Sequence, residues 1–535
     1  VDDFLFLIKG SFAVFISGIL KKVLITAIFI HITVTSVFAT SYYIDFKIGN
    51  DMNDGLSTNK PFQHCPGDIN ASQIASRTFL MPGDIVIFKG GVVYEGYIIV
   101  DRSGTDSNPI MYISGHTILN GWGETSAIID AQNADLSSRY NGAISISNAS
   151  YITVKGLSIQ NVPKRGSYSY FGGIGFNGDH GGNITIENCT ISGNSGNGIM
   201  LQGCWFDKAD PPSNFLIIDC HIGFNGEHGI QMRAGLSQVS IVNSTIHHNG
   251  TSQPGNGIFA GAGGTGFLRN LTIRGCEIYD NPTKGPMNIS GHNMLIENNF
   301  IYSTVQLAIG VTIGTEFYVP SMSTRNVTIR NNIIDLDTKY EGAIRVNIPF
   351  LTSYSLGYEI SDIKIHNNTI IQRGNYYAVF FNKIKGSAAN VIANVELINN
   401  IIKNAIGTKV CIFTGSGAEI PNFKCKSNYY YSGNNSFAFV WAGKNVNYAN
   451  WKSTHPEDLK QNVFDDPFPN IQIPSIDTIY SPSTSSPYFG AGITLPARYD
   501  YFNQPRTDKW DIGAIEYSQN VIYCIPRKTG YIVSK

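Results

Sequence analysis

The chain has 535 residues, a formal net charge of −1 and only 14% charged residues, against about 25% in ordinary globular domains. Near neutrality argues against nucleic acid as the main partner. Length alone suggests three or four domains at about 150 residues each, but a repeat architecture grows coil by coil and escapes that estimate.

Residues 1–39 read as an export signal. Lys21 and Lys22 precede an apolar run from Val23 to Phe38, and Val37-Phe38-Ala39 offers a small-residue cleavage site. A membrane anchor is the alternative. The expected location is outside the cytoplasm: secreted, periplasmic or on the cell surface, with no stable membrane insertion once the signal is removed. No later segment reaches the roughly 18 apolar residues needed to span a bilayer.

Residues 40–142 are expected to form an N-terminal cap and the first strands. Asp51, Asn53 and Asp54 resemble part of a calcium loop. The distal Glu of that motif is missing, so a turn held by Asx side chains is the preferred reading and calcium the alternative. No other cofactor is implied.

Residues 143–445 carry the main signal, a recurring Ile-x-Asn-Asn-x-Ile. It runs through Ile186–Ile191, Ile217–Ile222, Ile241–Ile246, Ile273–Ile278, Ile296–Ile301, Ile329–Ile334, Ile365–Ile370 and Leu397–Ile402, about every 30 residues. Inward isoleucines alternate with outward polar residues, the period of a strand. One such unit cannot bury its own apolar face, so coils must stack. The third position (Asn188, Asp219, Asn243, Gly275, Asn298, Asn331, Asn367, Asn399) tolerates left-handed backbone. The fourth runs Cys189, Cys220, Ser244, Cys276 and then Asn299, Asn332, Asn368, Asn400. Cys189 and Cys220 are near enough for a disulfide, but buried thiols are preferred. A third strand closes each coil, usually after a glycine: Ile199–Gln202, Ile230–Arg233, Ile258–Ala260, Met287–Ile289, Ala308–Val311, Ala343–Asn347, Ala378–Asn382 and Val410–Phe413. The pattern predicts an all-β, right-handed parallel β-helix of about ten coils. Residues 446–535 lose the repeat and are expected to cap it.

Several segments resemble the pectate-lyase-like β-helix superfamily. Tyr42-Tyr43-Ile44-Asp45, Gly49 to Ser57 and Lys60-Pro61-Phe62 are similar to the opening of family 9 polysaccharide lyases. Pro82-Gly83-Asp84, Gly90 to Tyr94, Ser103-Gly104-Thr105, Pro505-Arg506 and Asp511 to Glu516 continue the resemblance. It implies the fold and a polysaccharide partner, but fold does not fix function. The calcium-binding aspartate cluster and catalytic lysine of family 9 lyases have no counterpart here. The signature triplets of the polygalacturonases and the Asp-Pro-His-Asp of alginate epimerases are also missing.

Activity must therefore be read from the groove. With Ile199 and Ile230 inward, the outward stripe comprises Gln202, Gln231, Arg233, Phe259, Asn288, Arg345, Asn347, Phe380 and Asn382, with Asn177 added by the preceding strand. Amides, arginines and aromatic rings suit a sugar chain; an ordinary solvated face is the plainer alternative. The densest cluster holds Asp179, His180, Trp205, Asp207, Lys208, Asp210, Glu227, His228 and Arg233. A lyase acting on uronates needs a base, for which His228, His180 or Lys208 are candidates, and a cation such as Arg233. A hydrolase needs two carboxylates, for which Asp179 and Asp207 are candidates. A lyase is expected first, a hydrolase second and a non-catalytic glycan-binding or adhesion solenoid third, in each case as a monomer.

Overall fold

Among the described residues a coil is built of short strands joined by polar turns, and the strands of successive coils pair in parallel in three long sheets of 13, 13 and 12 strands, the second ending on one antiparallel strand. The computed structural model describes residues 39–118, 121–133, 142–164, 171–233, 235–262, 266–314, 323–348, 358–382, 391–405, 412–414, 419–432, 439–458, 486, 489–496, 499–506 and 510–516. The expected export signal lies outside these residues. Among them, no helix is long and apolar enough to cross a membrane.

The first sheet runs from Ser41–Ile44 to Lys424–Lys426 and contains the opening Ile-rich strand of each repeat. The third sheet holds the short strand after the asparagine turn, such as Phe300–Tyr302. The second holds the closing strand, such as Ile230–Arg233. The N-terminal strands pair directly into the same sheets, so they are part of the stack. Inward residues of all three sheets form one continuous apolar core. Ile301 is fully buried between Ile278 and Ile334, its register partners on either side, which is the predicted ladder.

The turns follow the repeat. Asn188, Asp219, Asn243, Asn298, Asn331, Asn367 and Asn399 all have φ between 50° and 57°. The fourth-position amides then form an internal ladder, each Nδ2 donating to the next Oδ1 from Asn299 through Asn332, Asn368 and Asn400 to Asn428, at 2.9–3.0 Å. Asp458 ends it, accepting from the Asn428 backbone N–H, the Tyr430 hydroxyl and the Trp451 indole N–H. In the earlier coils Cys189, Cys220 and Cys276 occupy this corner as buried free thiols, the preferred reading. A second amide ladder, not foreseen, runs at the corner leading into the second sheet: Asn194, Asn225, Asn249 and Asn281, linked at 2.9–3.0 Å. It explains the glycine before each closing strand. A Cβ on Gly198, Gly229 or Gly257 would sit 2.8 Å from the amide nitrogen of Asn225, Asn249 or Asn281.

Two expectations need correction. The strand expected at Ala308–Val311 is Val311–Ile313, because Val311 pairs with Ile344 and Thr312 with Asn288 and Arg345. The C-terminal region does more than close the end. The antiparallel pair Phe439–Trp441 and Lys444–Val446 and the helix Tyr448–Thr454 do lie at the end of the stack. Residues 489–496, 499–506 and 510–516, however, lie along the third sheet as a strap. Asn298 donates to the Asp500 and Tyr501 carbonyls, Asn331 to that of Tyr499 and Asn399 to that of Ile493. Ile512, Ala514 and Ile515 pack on Phe300, Ile333, Ile371 and Ile401.

Candidate functional site

On the second sheet Asn177, Gln202 and Arg233 are successive register partners, in the strands Gly172–Asn177, Asn197–Gln202 and Ile230–Arg233. The register shifts between Met232 and Arg233 against the next strand. The extra residue, Gly261, belongs to that next strand, and Arg233 keeps its register with Gln202. Its guanidinium carbon stands 5.8 Å from the centre of the Trp205 ring, within cation–π range. Trp205 is about 38% exposed, in the long loop that follows the neighbouring strand.

The same loop carries Asp207 and Lys208. Lys208 Nζ approaches the Asp179 carboxylate to 3.8 Å and donates to the Asp179 carbonyl at 3.4 Å. The Asp179 backbone N–H is held by Asn148 Oδ1 at 3.0 Å. Asp207 is paired with Arg269 of the first sheet at 2.5 Å. The two carboxylates considered for hydrolysis are therefore each engaged by a different cation. His180 stays exposed beyond Asp179.

His228 contrasts with this exposed group. Its ring stacks on Phe259 at 4.6 Å and 20°, and its Nδ1 accepts the Asn256 backbone N–H at 2.9 Å. Burial, reinforced by the positive charges of Lys284 and Arg233, pushes its pKa down to about 3. The bond to Nδ1 places the proton on Nε2. His228 is thus a neutral donor, and a base with neither a free lone pair nor proton affinity near neutral pH is a poor one.

The rest of the stripe points outward by strand alternation yet is covered, which corrects the picture of an open face. Gln202, Gln231, Phe259, Asn288, Arg345 and Asn347 are all buried. Gln231 Oε1 accepts from Asn197 at 3.2 Å. Arg345 lies against Glu341 and donates to Asn347 at 2.8 Å; Asn382 reaches the same oxygen at 2.7 Å. Among the described residues, Gln202 Oε1, Asn288 Nδ2 and Thr312 Oγ1 have no hydrogen-bond partner. Unpaired buried polar atoms are costly. Thr312 escaped the sequence reading because the strand around it was placed a few residues early. Phe380, as expected, is part of this face and stacks on Tyr377 at 5.5 Å.

No three His, Cys, Asp or Glu side chains converge as a metal site among the described residues. At the proposed calcium loop the Asp51 carboxylate accepts from the His64 and Ser72 backbone N–H groups, the Ser72 hydroxyl and the His64 ring. Asp54 accepts from the Leu56 N–H at 3.0 Å. These are turn contacts, as the preferred reading has it.

With this geometry in view, residues 98–270 match the profile of the family described as right handed beta helix region. The complex structure of XylC with xylose has a TM-score of 0.51 and 12% identity, over 89% of this chain and 98% of that one. Pectate lyase Pel9A is similar at 15% identity and a TM-score of 0.41, over 90% and 96% of the two chains. A mannuronic acid specific family 6 polysaccharide lyase from human gut microbiota follows at 13% and 0.39, over 70% and 89%. No curated protein matches the sequence. The fold is a right-handed parallel β-helix; likeness at these identities concerns the fold alone.

Proposed function

We propose that this protein is an exported lyase that cleaves an acidic polysaccharide by β-elimination on the early coils of the second sheet. The observation that carries the reading is Arg233, a cation at the end of its strand set against the partly exposed Trp205 ring. A uronate ring would stack on Trp205 while its carboxylate pairs with Arg233. Neutralising that carboxylate acidifies the neighbouring C–H. Lys208, in the Trp205 loop, is the proposed base, acting as the neutral amine once its ammonium has given up a proton and left Asp179; it takes the C–H proton as the C–O bond to the leaving sugar breaks, the departing oxygen takes a proton from water, and an unsaturated end is left. His228 Nε2–H is proposed as a hydrogen-bond donor to the chain. The pairing of Asp179 with Lys208 and of Asp207 with Arg269 favours this over hydrolysis, which needs a carboxyl able to donate a proton.

A second reading, binding without cleavage, is favoured by the unpaired polar atoms of Gln202, Asn288 and Thr312. The purified chain tested on acidic and neutral polysaccharides separates the readings. Ultraviolet absorbance together with new reducing ends supports a lyase. Reducing ends alone indicate a hydrolase, and retention on polysaccharide with neither signal indicates a binding protein. Arg233→Ala should lower turnover by about 10²-fold or more, and Lys208→Ala by a similar factor if it is the base. Full activity in both variants would place the site elsewhere.

A further inference from the structure

Three histidines meet on the outward face of the third sheet, away from the second-sheet groove. His221 and His247 lie in successive strands, His221–Gly223 and Thr245–His247. In the register, His247 stands opposite Gly223 and Thr245 opposite His221. The His247 ring lies over Gly223 and reaches His221, with the two Nε2 atoms 2.8 Å apart. Gly223 makes this pose available: a Cβ there would sit 2.7 Å from His247 Cε1 and Nε2. On its other side, His247 Nδ1 is 2.8 Å from His248 Nδ1. Tyr279 stacks on His247 at 4.8 Å and 4°, and the Phe224 edge closes on it at 5.1 Å. His247 is buried, while His221 is partly exposed.

Two facing ring nitrogens cannot both present lone pairs, nor both present hydrogens. An electrophile must stand between them, either one ring's proton or a cation. When His247 Nε2 offers its lone pair, its proton sits on Nδ1 and is donated to His248. A metal-bound imidazole is usually oriented in this way, through its second nitrogen. Two imidazoles on one tetrahedral ion, each about 2.0–2.1 Å from it, stand roughly 3.3 Å apart. A small rotation of the partly exposed His221 ring provides that opening.

We propose that His221 and His247 together bind one divalent transition-metal ion of borderline softness, Cu²⁺ or Zn²⁺, with His248 as the positioning residue and water filling the open positions. Imidazole pairs select such ions over Mg²⁺ and Ca²⁺, and Cu²⁺ over Zn²⁺.

The test uses the untagged full chain at neutral pH, titrated with Cu²⁺, Zn²⁺ and Mg²⁺ by calorimetry. The expected result is one Cu²⁺ or Zn²⁺ bound per chain, Cu²⁺ more tightly, and no Mg²⁺. The Cu²⁺ complex should show two nitrogen couplings by electron paramagnetic resonance. His221→Ala, on the partly exposed partner and outside the core, should abolish binding with an unchanged melting curve. His248→Ala should weaken it about 10–100-fold, and Gly223→Ala should remove it by displacing the His247 ring. His180→Ala, on the second-sheet side, should leave it intact. Failure of the parent chain to bind Cu²⁺, or equal binding by His221→Ala, overturns the proposal and leaves a pair that shares only a proton.

Discussion

The early and late coils satisfy the same requirement at different corners. In the late coils the amide ladder from Asn299 to Asn428 fills the turn between the first and third sheets. In the early coils that turn holds Cys189, Cys220, Ser244 and Cys276, and the ladder from Asn194 to Asn281 fills the turn entering the second sheet instead. The exchange occurs within one coil, between Asn281 and Asn299. A buried turn needs its polar groups paired, and one self-propagating line of amides per coil does this. The choice of corner has a local effect. The early ladder demands glycines at the entrance to the strands bearing Gln202 and Arg233, whereas the corresponding late positions carry Ala343 and Ala378. The candidate site thus sits on coils with a glycine-lined entry.

The change with the largest expected effect falls on the core that both halves share. Ile301→Ala should cost about 2–5 kcal/mol, read from denaturant midpoints, and Ile301→Asp should prevent folding because its charge would be buried unpaired. Asn332→Ala breaks the late ladder alone. It removes the acceptor of Asn299 and the donor to Asn368, at about 1–3 kcal/mol for each group left unpaired; a change below that range would show that the ladder is decorative.

Acid should weaken both halves. Burial holds His228 near pKa 3 in the early coils and His366 near 4 in the late ones, while an unfolded histidine titrates near 6.5. The unfolded chain therefore binds more protons below about pH 6.5, and stability present above that pH is lost as pH falls towards 4 and 3. Urea midpoints at pH 7.5 and 5 should differ in that direction, and His366→Gln should reduce the difference. The smallest effect is expected from Cys220→Ser. Ser244 already fills the equivalent position and donates to the Val242 carbonyl at 2.9 Å, so the change should stay within about 1.5 kcal/mol.

The isoleucine period and the left-handed asparagines made the fold legible, because strand alternation and turn chemistry are local. The glycine before each closing strand was visible as well, but not its cause: Asn194, Asn225, Asn249 and Asn281 meet it only after the coils stack. At the site, alternation named Arg233, Gln231 and Asn288 as outward. It could not show that Gln231 and Asn288 are buried, nor that the Asn256 N–H bonds to His228 Nδ1. The His221–His247 contact was hidden for the same reason, since 26 residues separate the partners and only register brings them together.

The strap formed by the described residues between 489 and 516 ties several late coils together. In a simple solenoid each coil feels only its two neighbours, so coils can peel away singly from an end. Here one short segment is bonded to Asn298, Asn331 and Asn399 at once, and the Arg506 guanidinium ties it to itself at Glu516 and to Asn331. Like a cord sewn through several pages, it makes the opening of one coil a cost to coils that never touch it. Under tension the strapped coils are expected to resist as a unit.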